Sequence, residues 1–242
     1  MKEKKEFTEL LNFSNKITVI TGAGISAESG VPTFRGKDGL WRNFRAEELA
    51  TPQAFEKNPQ LVWEWYNWRR ELISKCKPNP AHEFLVKLEK KKGDNFLLIT
   101  QNVDGLHRKA GNSRIIEIHG CIWRVKCTSC KFKDYDYSVP IKLLPECPEC
   151  GSLLRPDVVW FGESLDYKDL QKSIDACLNC DLLIVIGTSG VVQPVASFPF
   201  QAKSFNKNLK LVDINPIKNP ISEIADLYIP YKSGEFLKNI DE

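Results

Sequence analysis

The amino-acid sequence predicts an α/β protein that combines a parallel sheet with a smaller inserted lobe. Short apolar runs recur along the chain, and helical stretches separate them. Several of these runs are almost continuously apolar, as strands are when helices cover both faces of a parallel sheet. The first run, Ile17–Thr21, leads directly into a glycine-rich turn, and a strand that feeds such a turn is typical of a Rossmann-like lobe.

Five runs are predicted to be strands of this lobe: Ile17–Thr21, Phe96–Thr100, residues 115–118, Leu182–Ile186 and residues 209–214. Two regions do not follow the alternation of strand and helix. Residues 42–92 are rich in aromatic and charged residues at helical spacing, and residues 121–155 carry paired cysteines and prolines. We interpret them as a helical insertion and a zinc module that together form the smaller lobe. The Rossmann-like lobe then comprises residues 1–41, 93–120 and 156–242.

Composition and charge limit the classes of protein to which the chain can belong. The chain has 242 residues, of which 42% are hydrophobic and 27% charged, as in an ordinary soluble globular protein. A net charge of +3 is too small to indicate nucleic-acid or membrane binding. The charged N-terminus lacks the apolar stretch of a signal peptide, and no segment approaches the roughly 18 apolar residues of a membrane helix. We therefore expect a cytoplasmic protein, with an oligomeric state left open and a monomer compatible with the sequence. Its eight cysteines are expected to be reduced thiols or metal ligands.

The turn after the first strand, residues 22–26 (GAGIS), is predicted to hold a nucleotide phosphate. Its glycines let the backbone approach the phosphate, and the helix that follows offers N–H groups. Two features depart from the dinucleotide fingerprint. Pro32 excludes a long regular helix, and the acidic residue expected after a second strand, about 20 residues later, is missing. The layout therefore favours phosphate binding without hydride transfer.

The cysteines have the spacing of a zinc site, C-x2-C-x16-C-x2-C, and the four residues are Cys127, Cys130, Cys147 and Cys150. Each pair can grip one tetrahedral ion from a tight turn. Four thiolates close the coordination sphere, so we expect the ion to stabilise the fold without taking part in chemistry. The alternative is four buried or surface thiols. A further pair, Cys177 and Cys180, lies in a helix-like stretch with no partner pair nearby and is expected to pack between helix and sheet.

A cluster of polar residues follows the predicted strand Phe96–Thr100. Residues 101–107 read QNVDGLH, and the carboxyl end of a strand is where an open parallel sheet places its ligand groups. The amide of Asn102 and the carboxylate of Asp104 are therefore candidates for ligand binding. The alternative is a turn in which both side chains cap backbone N–H groups.

A histidine and a second glycine turn stand at two other strand ends. His119 follows the run 115–118 and precedes Gly120, and an imidazole is the natural general base near neutral pH. A structural role is the alternative for this residue. His82 is expected to cap or pack a helix. The turn that begins at Gly187 is predicted to bind phosphate or ribose, as the first turn is.

A co-linear series of motifs resembles that of the sirtuin family. In chain order the motifs are residues 22–26 (GAGIS), 32–35 (PTFR), 100–107 (TQNVDGLH), 119–120 (HG), the four paired cysteines, 155–163 (RPDVVWFGE), 187–189 (GTS) and 213–215 (DIN). The first three resemble the family's two NAD motifs, the histidine–glycine pair its catalytic pair, and the cysteines its zinc module. The resemblance covers nearly the whole chain. It implies a Rossmann lobe, a small zinc-and-helix lobe, and a cleft between them that holds NAD and an acyl-lysine peptide.

The resemblance also implies an activity, NAD-dependent removal of acyl groups from protein lysines. Sirtuins cleave the bond between nicotinamide and ribose, and the acyl oxygen of the substrate lysine attacks the exposed carbon, so NAD is consumed as a co-substrate. His119 is implied to take a proton from a ribose hydroxyl. The products are free lysine, nicotinamide and O-acyl-ADP-ribose. The residues implied to bind NAD are Gly22, Ala23, Gly24, Ile25, Ser26, Phe34, Arg35, Trp41, Gln101, Asn102, Val103, Asp104, Gly187, Thr188, Ser189, Asn215 and Ser233.

The same resemblance implies where the acylated peptide binds. The segment that resembles the family's peptide-pairing strand consists of Val159, Trp160, Phe161 and Gly162, and pairing of this kind depends on backbone hydrogen bonds. The chain resembles the class III branch, the desuccinylases and demalonylases, which carries Tyr-x-x-Arg with a small alanine before it. The corresponding residues here are Tyr66, Arg69 and Ala50. Succinyl and malonyl groups are therefore expected to be preferred over acetyl.

Two further residues, Arg70 and Gln193, bear on the comparison with this branch. Taken alone, the segment around Tyr66 would be an amphipathic helix with a solvated arginine. Arg70 lies about a third of a turn from Arg69 and is expected to play no part in acyl recognition. Gln193 stands in a position where relatives of this branch often have tyrosine.

Three other functions share part of the pattern. An NAD-dependent dehydrogenase would share the glycine turn but should carry the missing ribose-binding acid. A zinc-ribbon protein that binds nucleic acid would share the cysteines, but acidic residues offset the lysines between them, so no basic stripe forms. An ADP-ribosyltransferase of sirtuin type would use the same NAD site and is the closest alternative.

Overall fold

The computed structural model describes residues 2–32, 40–41, 44–238 and 240. The helices are α1 (Lys2–Phe13), α2 (Ala23–Ala27), α3 (Ala46–Leu49), α4 (Pro52–Lys57), α5 (Pro59–Ser74), α6 (Pro80–Lys92), α7 (Leu106–Ala110), α8 (Tyr167–Leu178), α9 (Phe198–Phe205), α10 (Pro220–Ile224) and α11 (Ser233–Leu237). The strands are β1 (Ile17–Thr21), β2 (Leu40–Trp41), β3 (Phe44–Arg45), β4 (Phe96–Thr100), β5 (Ile115–Glu117), β6 (Gly120–Cys127), β7 (Lys133–Tyr135), β8 (Leu154–Val158), β9 (Leu182–Ile186), β10 (Lys210–Ile214) and β11 (Leu227–Ile229). Within the described ranges, no helix has the length and apolar character needed to cross a membrane.

Six strands form one parallel sheet in the order β11-β10-β9-β1-β4-β5. The boundaries predicted for β1, β4 and β9 are those observed, whereas β5 ends one residue earlier than predicted and β10 begins one residue later. The three-residue strand β11 was not predicted. The α/β class with a Rossmann-like parallel sheet is therefore confirmed.

The direction of winding reverses between β1 and β9. From β1 the sheet continues through β4 to β5, and from β9 it continues through β10 to β11. The register places Thr21 level with Thr100 on one side and with Ile186 on the other. The loops that follow these strands therefore begin at one edge, beside the reversal point where open α/β sheets bind their ligands. We call this edge, formed by the carboxyl ends of β1, β4, β5, β9 and β10, the carboxyl edge.

Both faces of the parallel sheet are buried, which accounts for the continuous apolar runs. Successive residues of β9 alternate between two core clusters: Ile184 packs with the cluster that contains α1, α6 and α11, and Val185 with the one that contains α8 and α9. Successive strand residues point to opposite faces. A strand covered on both faces therefore needs apolar residues at every position.

The small lobe is built on a second sheet of three antiparallel strands in the order β7-β6-β8. Helix α5 packs against it, and the indole N–H of Trp63 donates to the carbonyl oxygen of Leu154 at 3.0 Å. A separate core cluster joins α5 to this sheet. Helix α6, which the sequence places in the same insertion, instead packs Phe84 and Leu85 into the core of the large sheet. The lobe boundaries drawn from the sequence stay a prediction.

Three helices of the segment 46–92 begin with the same local signal. In each case a polar N-cap residue precedes a proline at the first helical position, as in Thr51, Asn58 and Asn79 before α4, α5 and α6. The side chain of each cap accepts a backbone N–H of the first turn. Proline is suited to that first position because its missing N–H would have no partner within the helix. The pair Asn58–Pro59 fixes where α5 begins, and hence which of its residues face the small sheet.

Candidate active site

Two glycine turns meet at the carboxyl edge through their backbones. The N–H of Gly22 donates to the carbonyl oxygen of Ile186 at 3.0 Å, and that of Gly24 to Gly187 at 2.8 Å. A Cβ atom at Gly24 would lie 2.7 Å from the Cα atom of Gly187, whose φ of +61° also favours glycine. The turn from β1 and the turn from β9 therefore approach each other so closely that side chains are excluded from the contact.

Polar side chains from β4 and β10 reach the same turns. The amide of Gln101 donates to the hydroxyl of Thr188 at 3.2 Å, and the amide of Asn215 donates to the carbonyl oxygen of Thr188 at 2.6 Å. Asn102 donates to the carbonyl oxygen of Gly22 at 3.0 Å and to the hydroxyl of Ser26 at 3.1 Å. With both amide hydrogens of Asn102 engaged, its side-chain oxygen is the atom that can accept a hydrogen bond from a ligand.

Asp104 is buried, and both its carboxylate and its backbone carbonyl accept hydrogen bonds from neighbouring residues. Its carboxylate accepts the N–H of Leu106 at 2.8 Å, which is the capping role considered as the alternative to ligand binding. Its carbonyl oxygen accepts the indole N–H of Trp123 at 2.7 Å. Burial raises the pKa of Asp104, and the bonds from Leu106 and Ser26 oppose that rise. Val103, between Asn102 and Asp104, is buried in the core of the small lobe.

Along the chain, His119 lies between β5 of the large sheet and β6 of the small sheet, and a hydrogen bond holds one of its ring nitrogens. Its Nδ1 atom lies 3.0 Å from the carbonyl oxygen of Gln101. A carbonyl oxygen can only accept, so Nδ1 carries the proton and Nε2 keeps its lone pair. Burial lowers the pKa of His119, and the bond to Gln101 partly offsets this. The half-buried imidazole is therefore neutral near pH 7, with Nε2 able to accept a proton.

The backbone on either side of His119 is held to β8. The N–H of Val159 donates to the carbonyl oxygen of His119 at 2.9 Å. Gly120 has a φ of +82°, and a Cβ atom there would lie 2.1 Å from the carbonyl oxygen of Asp157. Glycine is therefore required directly after the histidine, because the paired strands β6 and β8 bring their backbones into contact at this residue.

The other two histidines form a buried pair beneath the carboxyl edge. The ring centroids of His82 and His107 are 4.7 Å apart. His82 accepts the N–H of Asn79 and completes the cap of α6, which confirms its expected role. His107 contacts the hydroxyl of Thr21 at 3.0 Å through Nε2. Burial lowers the pKa of His82 to about 4, so both act as neutral structural groups.

The four paired cysteines come together at the far end of the small sheet. Their sulfur atoms all lie within 4.8 Å of one another, and within the described part of the chain they are the one such group of possible metal ligands. The Sγ atoms of Cys127 and Cys150 are 3.5 Å apart, and those of Cys130 and Cys147 are 3.6 Å apart. A zinc ion about 2.3 Å from four tetrahedral sulfurs places neighbouring sulfurs about 3.8 Å apart. Donor type and spacing thus fit one zinc ion that leaves no coordination position open.

The second cysteine pair lies elsewhere. Cys177 and Cys180 are buried in the core between α8 and the large sheet, as expected.

Strand β6 separates the zinc ligands from His119, because His119 precedes its first residue and Cys127 is its last. At a rise of about 3.3 Å per residue, the chain from His119 to Cys127 spans up to about 26 Å, so the zinc site lies far from the imidazole, which fits a structural ion.

Tyr66 and Arg69 lie on one face of α5, and Tyr66 contacts the loop that follows β8. Tyr66 is fully buried, and its hydroxyl oxygen accepts the indole N–H of Trp160 at 2.8 Å. The guanidinium carbon of Arg69 is 5.1 Å from the ring centre of Trp65 and 5.9 Å from that of Tyr66. Burial raises the pKa of Tyr66 and lowers that of Arg69, so the phenol keeps its proton. We call Ala50, Tyr66, Arg69 and Trp160 the α5 wall.

Arg70, the residue after Arg69 on α5, binds the small lobe through its guanidinium group. The side chain is fully buried. Its guanidinium donates to the carbonyl oxygens of Ile122 at 3.0 Å and Ser138 at 2.9 Å, and also bonds Asp136. The segment 136–138 folds over the helix and supplies acceptors for the guanidinium. Arg70 therefore ties α5 to the small sheet.

The segment after β8 is tied to the molecule through its backbone N–H groups. Val159 donates to His119, Phe161 donates to the carbonyl oxygen of Ala50 at 2.9 Å, and Trp160 donates to the carboxylate of Glu163 at 2.8 Å. Gly162 has a φ of +87°, and the side chain of Phe161 is 54% exposed. The backbone N–H groups of Val159, Trp160 and Phe161 therefore already have partners within the molecule.

The remaining predicted residues divide into two groups. Ser233 is buried, and its hydroxyl lies 3.4 Å from a carboxylate oxygen of Glu28, which also accepts the N–H of Gly234. Phe34 and Arg35 lie outside the described residues, as does the side chain of Trp41. Sequence reasoning assigned no individual role to the side chains of Arg155 and Glu163, although both lie within the motif of residues 155–163.

Comparison with known proteins gives one consistent family. The Sir2 family profile matches residues 22–194. A protein of Aquifex aeolicus named NAD-dependent protein deacylase is 52% identical over 225 residues, covering 93% of each chain. Two solved structures are similar over 98% of this chain: a Sir2 homologue–NAD complex (TM-score 0.90, 45% identity, 91% of that chain) and a Sir2–p53 peptide–NAD+ complex (TM-score 0.85, 34% identity, 96% of that chain). This chain therefore belongs to the Sir2 family.

Proposed function

We propose that this chain is an NAD-dependent protein-lysine deacylase that prefers succinyl and malonyl groups to acetyl. The deacylase activity is supported by relatives of that name that align over almost the whole chain. The preference is supported by one observation, the placement of Tyr66 and Arg69 side by side on α5, next to the segment 159–162.

NAD would bind along the carboxyl edge. The two glycine turns and the polar groups of Gln101, Asn102 and Asn215 converge there, at the reversal of the sheet. When bound, NAD supplies the ribose carbon that takes the acyl oxygen after nicotinamide leaves. The glycine turns would hold the phosphates, and Asn102 would accept a hydrogen bond from a ribose or nicotinamide group through its side-chain oxygen.

His119 would be the general base. Its Nδ1–H bond to Gln101 fixes the ring and leaves Nε2 unprotonated. From that position Nε2 would remove a proton from a ribose hydroxyl, so that the oxygen can attack the acyl carbon. The lowered pKa of His119 keeps the imidazole in its basic form across neutral pH.

The α5 wall would recognise the acyl group. The planar fork of Arg69 can pair with a distal carboxylate in two hydrogen bonds, and the phenol of Tyr66 can donate a third. Ala50, a small residue, leaves room for the longer chain. The acetyl group has no carboxylate and gains nothing from either side chain.

A panel assay tests this function. The protein would be incubated with NAD and matched acetyl, malonyl, succinyl and glutaryl peptides, and kcat/KM measured for each with identification of the products. We expect O-acyl-ADP-ribose and free lysine, with succinyl and malonyl peptides turned over most efficiently. A protein modified by ADP-ribose in place of these products would favour the transferase alternative, and a higher kcat/KM for acetyl would contradict the acyl preference.

A further inference from the structure

An ion pair with little exposure to solvent contacts Trp160 of the α5 wall. Arg155, on β8, donates to both carboxylate oxygens of Glu163 at 2.5 and 2.9 Å, and also to the carbonyl oxygen of Val158 at 3.0 Å. The side chains are 10% and 23% exposed. A two-pronged pair with this little exposure holds both groups in a fixed geometry. It closes residues 155–163 into a loop with Trp160 at its centre.

The ion pair holds Trp160 from two directions. The guanidinium carbon of Arg155 is 3.3 Å from the ring centre of Trp160, and a carboxylate oxygen of Glu163 accepts the backbone N–H of the same residue. The ring of Phe55 packs against the indole with centroids 5.3 Å apart. Trp160 itself is 2% exposed, so its indole has one available orientation.

That orientation decides what the hydroxyl of Tyr66 can do. The indole N–H of Trp160 can only donate, so the phenol oxygen of Tyr66 is the acceptor in their 2.8 Å bond. The phenol's own proton must then point away from Trp160. A hydroxyl fixed in this way is a preorganised donor, and it needs no reorientation when an acidic group arrives.

We propose that Arg155 and Glu163 are positioning residues for acyl selection, which lock Trp160 so that its N–H presents the hydroxyl of Tyr66 as a donor to the carboxylate of the acyl chain. The inference rests on the proposed function, since it assigns a cause to the preference for acidic acyl groups. Neither residue needs to touch the substrate. Their effect passes through Trp160 and ends at Tyr66.

A double-mutant cycle tests the connection. The quantity measured is the ratio of kcat/KM for succinyl and acetyl peptides, in the wild type, Trp160→Phe, Tyr66→Phe and the double variant. We expect Trp160→Phe to lower the ratio about two- to tenfold and Tyr66→Phe to lower it about tenfold or more. In the double variant the ratio should equal that of Tyr66→Phe within about twofold, because Trp160 acts only through that hydroxyl.

Glu163→Gln provides a second route that keeps the indole and the size of the side chain. It weakens the pair with Arg155, and we expect the ratio to fall about two- to tenfold in the wild-type background and not at all in the Tyr66→Phe background. The matched control is Asp226→Asn, which weakens the half-buried pair of Lys203 and Asp226, 2.8 Å apart, far along the chain from this loop. It should lower the melting temperature without moving the ratio.

The outcomes separate the two proposals. If Tyr66→Phe removes the succinyl preference but Trp160→Phe and Glu163→Gln do not, the positioning role is overturned and the proposed function stands. If the effects of Trp160→Phe and Tyr66→Phe multiply in the double variant, Trp160 acts independently of the hydroxyl and the inference also fails. If Tyr66→Phe leaves the ratio unchanged, the acyl preference proposed for the α5 wall is itself wrong, and this inference falls with it.

Discussion

The carboxyl edge and the α5 wall are built in different ways. At the carboxyl edge, two turns contact each other through backbone atoms, with glycine where a Cβ atom would collide. At the α5 wall, side chains from α5 and the loop 159–163 are fixed by one another, as in the bond from Trp160 to Tyr66. The first arrangement tolerates almost no substitution at the contact. The second can change its side chains while the backbone stays in place, which would suit the acyl recognition proposed for it.

The zinc site offers the largest effect that would separate the two regions. We predict that Cys147→Ser loses the ion, unfolds the small sheet and abolishes activity, because structural zinc in small modules contributes about 10–16 kcal/mol. The large sheet has its own core clusters, so amides of β1, β4 and β9 should stay protected in hydrogen exchange while those of β6 and β8 lose protection. The double variant Cys177→Ala/Cys180→Ala is the control for zinc content. Elemental analysis showing zinc lost only in that control would refute the assignment.

His119→Ala tests the carboxyl edge without disturbing the α5 wall. We predict that deacylation falls by about 100- to 10,000-fold for every acyl group, which is the usual contribution of a general base. NAD binding and the succinyl-to-acetyl ratio should both persist, since neither depends on Nε2. His107→Ala, in the buried pair, should affect stability far more than the chemical step. A His119→Ala protein with near-normal turnover would move the base to another residue.

How far the sequence predicted each region follows from how the region is built. The strand and turn of residues 17–24 and His119 after β5 are local patterns, visible in a few consecutive residues, and the cysteines follow a known spacing within residues 127–150. The bond between Tyr66 and Trp160 joins positions 94 residues apart, and no local pattern indicates it. The structural role of Arg70 was not predicted for the same reason, because its acceptors lie on segments 52–68 residues away. Strand β11 is three residues long and carries too little pattern to be recognised.

Two adjacent arginines on α5 provide the next test, because they separate substrate recognition from support of the wall. We predict that Arg69→Met lowers kcat/KM for succinyl peptides by about ten- to 150-fold, the value of a hydrogen bond to a charged group, and spares or improves deacetylation. Arg70→Met should instead lower the free energy of unfolding by roughly 2–4 kcal/mol, because it leaves buried carbonyl oxygens without donors. Urea unfolding and the peptide panel measure both effects. Equal losses toward succinyl and acetyl peptides in Arg69→Met would mean that Arg69 supports the lobe and does not read the acyl chain.

The smallest effect we predict is a dependence of stability on pH that arises from the buried histidine pair beneath the carboxyl edge. His82 is fully buried and completes the cap of α6, while Asn79, its partner in that cap, donates to the carbonyl oxygen of Ile25 in the first glycine turn. Burial lowers the pKa of His82 to about 4, whereas the unfolded chain has a histidine pKa of about 6.5. Between these values the unfolded state binds the proton and the native state does not. Stability from this residue is therefore complete above about pH 6.5 and is lost as the pH falls toward 4.

At pH 5 the loss from His82 alone should be about 2 kcal/mol relative to pH 7.5, and the depressed pKa of His107 adds in the same direction. His82→Gln keeps an acceptor for the N–H of Asn79 but cannot titrate, and glutamine is favoured at this position of a capping box. The variant should therefore lose less stability than the wild type between pH 7.5 and 5, by about 2 kcal/mol in urea unfolding. Carboxylates titrate equally in both proteins, so the difference isolates His82. An identical pH dependence in the two proteins would show that His82 takes up its proton in the folded state as readily as in the unfolded chain.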